Sequence, residues 1–296
     1  MDNFDIKDYR IDNKETFKIK KANTKIKDFY GSKEEYEQML IELQEEMDKY
    51  QSMMYAHNKN GVLVIFQAMD AAGKDGTMKA VFKNVHPLGL SFYSFKRPSE
   101  NELNHDFMWR CFKELPERGK FQVFNRSYYE EVLVVKVHPE ILTNVQKIPK
   151  NLTEDLDKVW KKRYKDIENF EEYLTNNGIK VIKFFLNVSK EEQSKRLIER
   201  IEDINKNWKF EEGDIKERDY WNNYMDAYEE MINETSTAKN PWYVLPADDK
   251  KNMRLLVAKI INENLKTLEM SYPEPDEARK KTLMGLIEVI KKQNLV

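Results

Sequence analysis

The chain has 296 residues, with 50 Lys and Arg against 52 Asp and Glu, a formal net charge of −2 and 40% hydrophobic residues. That length holds one large α/β domain or two small ones. The balanced charge gives no global reason to expect nucleic-acid binding, so any anion site must be a local patch. A single cysteine, Cys111, excludes an intramolecular disulfide and fits a reducing compartment. No N-terminal apolar segment resembles a signal peptide and no run has membrane-spanning length, so a cytoplasmic protein is expected. His57, His86, His105 and His138 lack zinc-type spacing and read as ordinary surface or turn residues.

Residues 1–31 are polar and lysine-rich and read as an extended arm. Ser32 and Glu35 make a capping box, followed by Tyr36, Met39, Leu40, Leu43, Met47, Tyr50 and Met54 at helical spacing. This amphipathic helix completes an N-terminal unit over about residues 1–60.

The stretch Gln67–Thr77, QAMDAAGKDGT, follows the β-branched run Val62 to Phe66 and leads into the helix-compatible segment Met78–Val85. Strand, glycine-containing turn and helix in that order are the context of a phosphate-binding loop. Gly73 and Gly76 let the main chain approach a phosphate, and Lys74 adds a full charge. The spacing departs from the usual form: Ala68 stands at the first Gly, Asp75 at the metal-binding hydroxyl, and Thr77 comes two residues late. Asp70 inside the loop would repel phosphate unless a cation offset it, so it is read as helping to hold Mg²⁺.

Ser91–Phe95 reads as a second strand ending in Lys96 and Arg97, which would emerge on the phosphate side. Glu102–Leu115 reads as a helix, and Phe121–Phe124 as a strand running into Asn125-Arg126-Ser127-Tyr128-Tyr129-Glu130-Glu131. Phosphate-loop enzymes place an Asp at such a strand end. Here Asn125 ligates without charge, shifting metal binding to Asp70 and to Glu130 or Glu131, while Arg126 is placed to bridge phosphates. Val132–Val137 is apolar with no clear place in the sheet.

Thr153–Asn176 reads as a long helix stopped at Asn177-Gly178, with Arg163 on its apolar stripe. A cation there needs a salt bridge or a phosphate contact, and either satisfies it. Lys180–Asn187 is a strand, and Ser189 with Glu192 caps a helix carrying Arg196 and Arg200 four apart. The polar stretch that follows, Glu202–Gly213, reads as part of a closing lid over about 196–218. Asp214 with Glu217 suggests another capping box, opening a helix striped by Trp221, Tyr224, Met225, Tyr228 and Met231. Pro241–Pro246 is the last strand, Asp249–Leu268 a closing helix, and a short helical tail occupies about 270–296. Alternating strands and helices without repeats or linkers argue for one α/β domain over 1–296, a parallel sheet sandwiched by helices with a helical lid.

The segments FQAMDAAGKDGT, SFKRPS, FNRSYYEEVLVVKVHP, KFFLNVSKEEQSKRL, WKF and PWYVLPADDK, in that order, resemble the polyphosphate kinase 2 family. The likeness runs from the N-terminal helix through the last strand, and Tyr129–Val134 is most similar to its third subclass, which phosphorylates both AMP and ADP. It implies a P-loop kinase of thymidylate-kinase-like fold that moves the terminal phosphoryl group of inorganic polyphosphate to AMP or ADP. By motif it implies catalytic Asp70, Lys74 and Arg126, and backbone amides of Ala71, Ala72, Gly73, Lys74, Asp75, Gly76 and Thr77 cradling phosphate. Asn125 and Glu130 match positions tied to the nucleotide acceptor and, with Asp70, to the metal, Mg²⁺ or Mn²⁺ in its place. Lys96, Arg163, Arg196 and Arg200 match basic positions along the polyphosphate path or lid. The partners implied are polyphosphate and AMP, ADP and ATP, without nucleic acid or membrane, in a homodimer or homotetramer. Fold alone leaves two rivals, an ATP-dependent nucleoside or nucleotide kinase and a nucleotide-binding module without turnover.

Overall fold

A computed structural model describes residues 5–293; the ends of the expected arm and tail, 1–4 and 294–296, lie outside the described residues. The strands are β1 (Arg10–Ile11), β2 (Gly61–Gln67), β3 (Leu90–Ser94), β4 (Phe121–Asn125), β5 (Ile179–Asn187) and β6 (Trp242–Pro246). They form a six-stranded sheet in the order β1-β6-β5-β2-β4-β3, parallel except for β1. Every residue of β2 is buried, as a central strand covered on both faces requires, and Val64 aligns with Val123 of β4 and Ile182 of β5.

The helices are α1 (Lys33–His57), α2 (Lys74–Val81), α3 (Glu100–Leu103), α4 (Trp109–Phe112), α5 (Val134–Val137), α6 (Pro139–Asn144), α7 (Leu156–Asn176), α8 (Lys190–Glu202), α9 (Gly213–Asp219), α10 (Trp221–Thr235), α11 (Lys250–Lys266) and α12 (Glu277–Gln293). α1 and α2 pack on α11 as one layer, and α7 on α10 as another. Alternation along β6 puts these layers on opposite faces: Trp242 donates to Thr235 of α10, while the next residue, Tyr243, accepts from Asn264 of α11. The chain passes from β2 out to β3, back to β4 and then across to β5. The reversal therefore falls beside β2, where parallel sheets open a crevice at the carboxyl ends of their strands.

The α1 stripe is buried at Tyr36, Leu40, Leu43, Met47 and Met54, and Ser32 caps the helix through the Glu35 amide. Elsewhere boundaries differ from expectation for local reasons. The arm is not wholly extended: it forms two 3-10 turns and β1, which hydrogen-bonds to β6 through backbone alone. The span Glu102–Leu115 is two short helices, because Ser99 and Glu102 close a capping box one turn earlier and Asp106 restarts the chain by binding the Met108 amide. Val132–Val137 joins no strand; it ends a 3-10 turn and forms α5. Asp214 caps nothing and lies inside α9, its carboxylate turned to Arg200, and α10 starts separately at Trp221. α7 starts at Leu156 under an Asp155 cap and stops before Gly178, whose φ of 76° favours a residue without Cβ. The tail helix is long: α12 has 17 residues, all exposed.

Candidate active site

Beyond β2 the chain turns through Ala68–Gly73 into α2. Ala71 (φ 59°) and Gly73 (φ 107°) both take left-handed backbone, and at Gly73 it is this φ that strains a larger residue, not a lack of room, since a Cβ there would meet only ordinary contacts at 3.6 Å. The first-turn amides of Lys74, Asp75 and Gly76 stand at a helix N-terminus that no side chain caps. Within the expected cradle from Ala71 to Thr77, two amides are engaged inside the chain. The Thr77 amide donates to Gly73 O at 3.0 Å and the Ala72 amide to Met69 O at 3.3 Å. The Thr77 hydroxyl is buried and finds no partner among the described residues.

Lys74 folds back beneath the loop, donating from Nζ to Ala68 O at 2.8 Å and Met69 O at 3.3 Å. Burial, and then the neighbouring Arg126, push its ammonium down to about 8 against the pull of Asp70, Glu130 and Asp75. Arg126 follows β4 with φ 63°, its amide extending the sheet by donating to Phe66 O at 3.0 Å. Its guanidinium lies 2.7 Å from Asp70 Oδ1 and 3.9 Å from Glu130 Oε2. Burial works to raise the Asp70 carboxyl, but Arg126 and Lys74 more than offset it and hold the group below its usual value. At Glu130 burial prevails and the carboxyl rises despite Arg126 and Lys74. The Gln67 amide lies between Glu130 and Ser127; its nitrogen faces Glu130 Oε1 at 2.9 Å, because a carboxylate only accepts. Asn125 Nδ2 donates to Asp75 Oδ1 at 2.8 Å, which leaves its amide oxygen as the atom able to ligate.

The structure thus brings Asp70, Lys74, Asn125, Arg126 and Glu130 together at the ends of β2 and β4. The other predicted cations divide. Lys96 is exposed beyond β3. Arg200 faces Asp214 at 3.4 Å, and its charge reaches Asp70. Arg163 does not face the cleft: it is 4% exposed, with its donors on Glu131 at 2.8 Å and Gln146 at 2.6 Å, so the salt-bridge alternative describes it. Arg196 is also buried and donates to Ala72 O and Ala247 O, each at 2.7 Å, and to Asp248 O at 3.0 Å. It grips the loop from behind.

Sequence reasoning missed several neighbours. Gln193 donates to Asp70 O at 2.9 Å and accepts from Arg218 of α9, joining the loop to the lid segment. Tyr228 of α10 is buried beside Glu130 and Asp70; burial and those charges raise its hydroxyl well above the usual value. Lys250 is lowered by burial and by Arg196 and Arg254. Arg254 Nη2 stands 3.5 Å from where a Cβ on Gly76 would be. These residues read as helix stripe or helix start in the sequence, and no local motif singles them out.

Among the described residues no three His, Cys, Asp or Glu side chains converge as a protein-only metal cage. The oxygen donors Asp70, Glu130 and Asn125 still suit a hard divalent cation of the kind that takes one or two carboxylates and completes its shell with phosphate and water. No helix among the described residues is long and apolar enough to cross a membrane.

Comparison with known proteins identifies the family. A sequence model described as Polyphosphate kinase 2 matches residues 30–273. The chain is 49% identical over 281 residues to the ADP-polyphosphate phosphotransferase of Rhodopseudomonas palustris, covering 95% of this chain and 96% of that protein. It is 41% identical to the AMP/ADP-polyphosphate phosphotransferase of Meiothermus ruber, covering 94% of this chain and all (100%) of that one. The crystal structure of polyphosphate kinase 2 from Arthrobacter aurescens TC1 superposes with a TM-score of 0.84 at 33% identity, over 95% of this chain and 97% of that one. The fold is that of a P-loop kinase, and with residues 30–273 matched by the family model and most of its length matched by these relatives, the chain belongs to the polyphosphate kinase 2 family.

Proposed function

We propose that this protein is a polyphosphate-dependent nucleotide kinase that transfers the terminal phosphoryl group of inorganic polyphosphate to AMP and ADP, giving ADP and ATP. The observation that carries this reading is the meeting of Lys74, Arg126 and Asp70 over an uncapped helix N-terminus, in a chain whose relatives bear polyphosphate phosphotransferase names.

The acceptor is a nucleotide phosphate oxygen, already anionic near neutral pH, so the reaction needs no strong general base. Its demand is to hold two polyanions in line and to stabilise charge on the equatorial oxygens of the moving group. In this proposal the amides of Lys74 to Gly76 bind phosphate oxygens, and Lys74 leaves its carbonyl partners to meet them. Arg126 exchanges part of its contact with Asp70 for a phosphate and bridges donor and acceptor. Arg200 swings from Asp214 when the lid segment, about 196–218, closes and excludes water. Lys96, and Lys250 with Arg254, extend the positive surface beyond the loop.

Asp70, Asn125 and Glu130 would hold Mg²⁺, or Mn²⁺ in its place, which when bound neutralises phosphate charge. Asn125 and Glu130 also border the acceptor. The whole chain then acts as one kinase unit, and we expect it to assemble as a homodimer or homotetramer.

The test is ATP formation from polyphosphate with AMP and with ADP offered separately. Electrostatic groups of this kind each contribute about 2.7–4 kcal/mol to a transition state, so Lys74→Ala is expected to lower turnover at least about a hundredfold. ATP formed with ADP alone would remove the AMP half of the reading. Turnover supported by ATP as donor and not by polyphosphate would overturn it.

A further inference from the structure

The 3-10 turn Tyr128–Val132 connects β4 to α5, and it carries Glu130 back toward Arg126. Arg126 holds left-handed backbone that a residue with a Cβ adopts only when its surroundings impose it. The segment that follows Arg126 is held by α7. Glu171 Oε1 accepts from Tyr129 OH at 2.6 Å and from Tyr128 OH at 2.9 Å. Two turns earlier on the same helix face, Arg163 donates to Glu131 O at 2.9 Å and to its carboxylate at 2.8 Å. The turn that follows the strained residue is therefore gripped along its length by one helix.

The grip is ionic and dry. Lys183, in the interior of β5, is 0% exposed and donates to Glu171 Oε2 at 2.6 Å, Tyr129 OH at 3.1 Å and Thr235 O at 2.8 Å. Its ammonium also lies 5.2 Å from the centre of the Trp242 ring. Burying a Lys and a Glu carries a desolvation cost that their attraction often fails to exceed, and apolar residues of like volume commonly do as well for stability. Stability alone is thus a poor account of this pair, whereas its hydrogen bonds fix two adjacent tyrosines in direction as apolar packing would not.

We propose that Glu171, oriented by Lys183, is a positioning residue for phosphoryl transfer: through Tyr128 and Tyr129 it holds Arg126 and Glu130 in their working geometry. Neither Glu171 nor Lys183 touches the cleft, so both act on the reacting groups at second hand. The inference rests on the proposed function only for the reaction assayed.

The test uses the full chain and whichever donor the wild type accepts, so that a wrong donor shows in the wild type and leaves the comparison intact. The first variant, Tyr128→Phe with Tyr129→Phe, removes both hydroxyls and keeps the rings and the Lys183–Glu171 pair. The second is Glu171→Gln. The control is Leu174→Ala, a cavity in the same buried face of α7 at a residue without a hydrogen bond to the turn among the described residues. All are assayed well below their unfolding midpoints.

We expect kcat to fall at least about tenfold in the tyrosine variant and in Glu171→Gln, with KM for nucleotide and for donor within about twofold of wild type. Leu174→Ala should keep kcat within about twofold. In an Arg126→Lys background the tyrosine substitutions should cost less than about threefold further, because the group they position has already been replaced. Wild-type kcat in the folded tyrosine variant would overturn the proposal. So would an equal kcat loss in Leu174→Ala, or a full additional loss in the Arg126→Lys background. If Glu171→Gln fails to fold, the tyrosine variant and its cycle with Arg126 decide the question.

Discussion

Lys74 sets the sharpest expectation available from a single side chain, because its ammonium is buried and held down to about 8. Phosphate binding needs the charged form. In the free enzyme that form is lost as pH rises through about 8, so kcat/KM should decline above that point. Bound phosphate favours the ammonium, so the limb in kcat should lie higher. Stability moves the other way: Lys74 titrates lower folded than unfolded, the unfolded state binds more protons between about 8 and the ordinary lysine value, and this group's contribution improves as pH rises. A kcat/KM profile flat to about pH 9.5, measured at constant ionic strength, would show that Lys74 is not the charge required. Asp70 supplies the companion prediction. It is the loop carboxylate paired with Arg126, which together with Lys74 holds its carboxyl below the usual value. Asp70→Asn keeps the shape and removes the charge, and should raise the Mg²⁺ concentration for half-maximal turnover at least about tenfold. An unchanged Mg²⁺ titration would exclude Asp70 as a ligand.

At the scale of elements, α8 holds the phosphate loop in place. Arg196 donates to the carbonyls of Ala72, Ala247 and Asp248 while its Nε meets Glu192 at 2.8 Å, and one turn back Gln193 ties Asp70 O. Arg196→Ala would leave the buried carbonyls of Ala72 and Ala247 without this donor at about 1–3 kcal/mol each, so denaturant unfolding should show a loss of about 2–6 kcal/mol. A phosphate ligand behaves differently: its loss would raise KM for polyphosphate and leave stability near wild type. The same residue shows where sequence reading stops. The serine caps at Ser32 and Ser189, the strand–turn–helix of the loop and the α7 stripe were legible because their signals lie within one or two turns of chain, although Glu35 and Glu192 turn to Gly31 N and Arg196 instead of closing the boxes. Arg196 was legible as a cation near the site, but its acceptors sit 51 and 124 residues away, and spacing along α8 carries no trace of them. Arg163 was ambiguous for the same reason until Glu131 appeared opposite it. β1 escaped notice because its pairing with β6 is made by backbone, and two residues show no alternation. The box read at Asp214 and Glu217 failed because Arg200 competes for the Asp214 carboxylate.

For the molecule as a whole, the packed body and α12 make separate contributions. The family match ends at residue 273 and α12 starts at Glu277. No residue of α12 is buried, and Leu283, Leu286, Ile287 and Ile290, 38–55% exposed, follow one another at spacings of three, one and three. Such a stripe on an otherwise uncovered helix is suited to burial against a partner, here the second copy expected in an oligomer. Ending the chain at Asp276 therefore separates two effects. The core between α11, the sheet and α7 loses no buried side chain, so the unfolding midpoint should stay within about 2 °C, given that roughly 1 kcal/mol shifts it by 2–4 °C at this size. Turnover per chain should stay within about twofold, because none of the residues assigned to the site lies beyond α11. The mass in solution, read by light scattering, should fall relative to the full chain. A midpoint lowered by more than about 4 °C with unchanged mass would mean that α12 folds against its own body, and an unchanged midpoint with unchanged mass would place the oligomer contacts on the body itself.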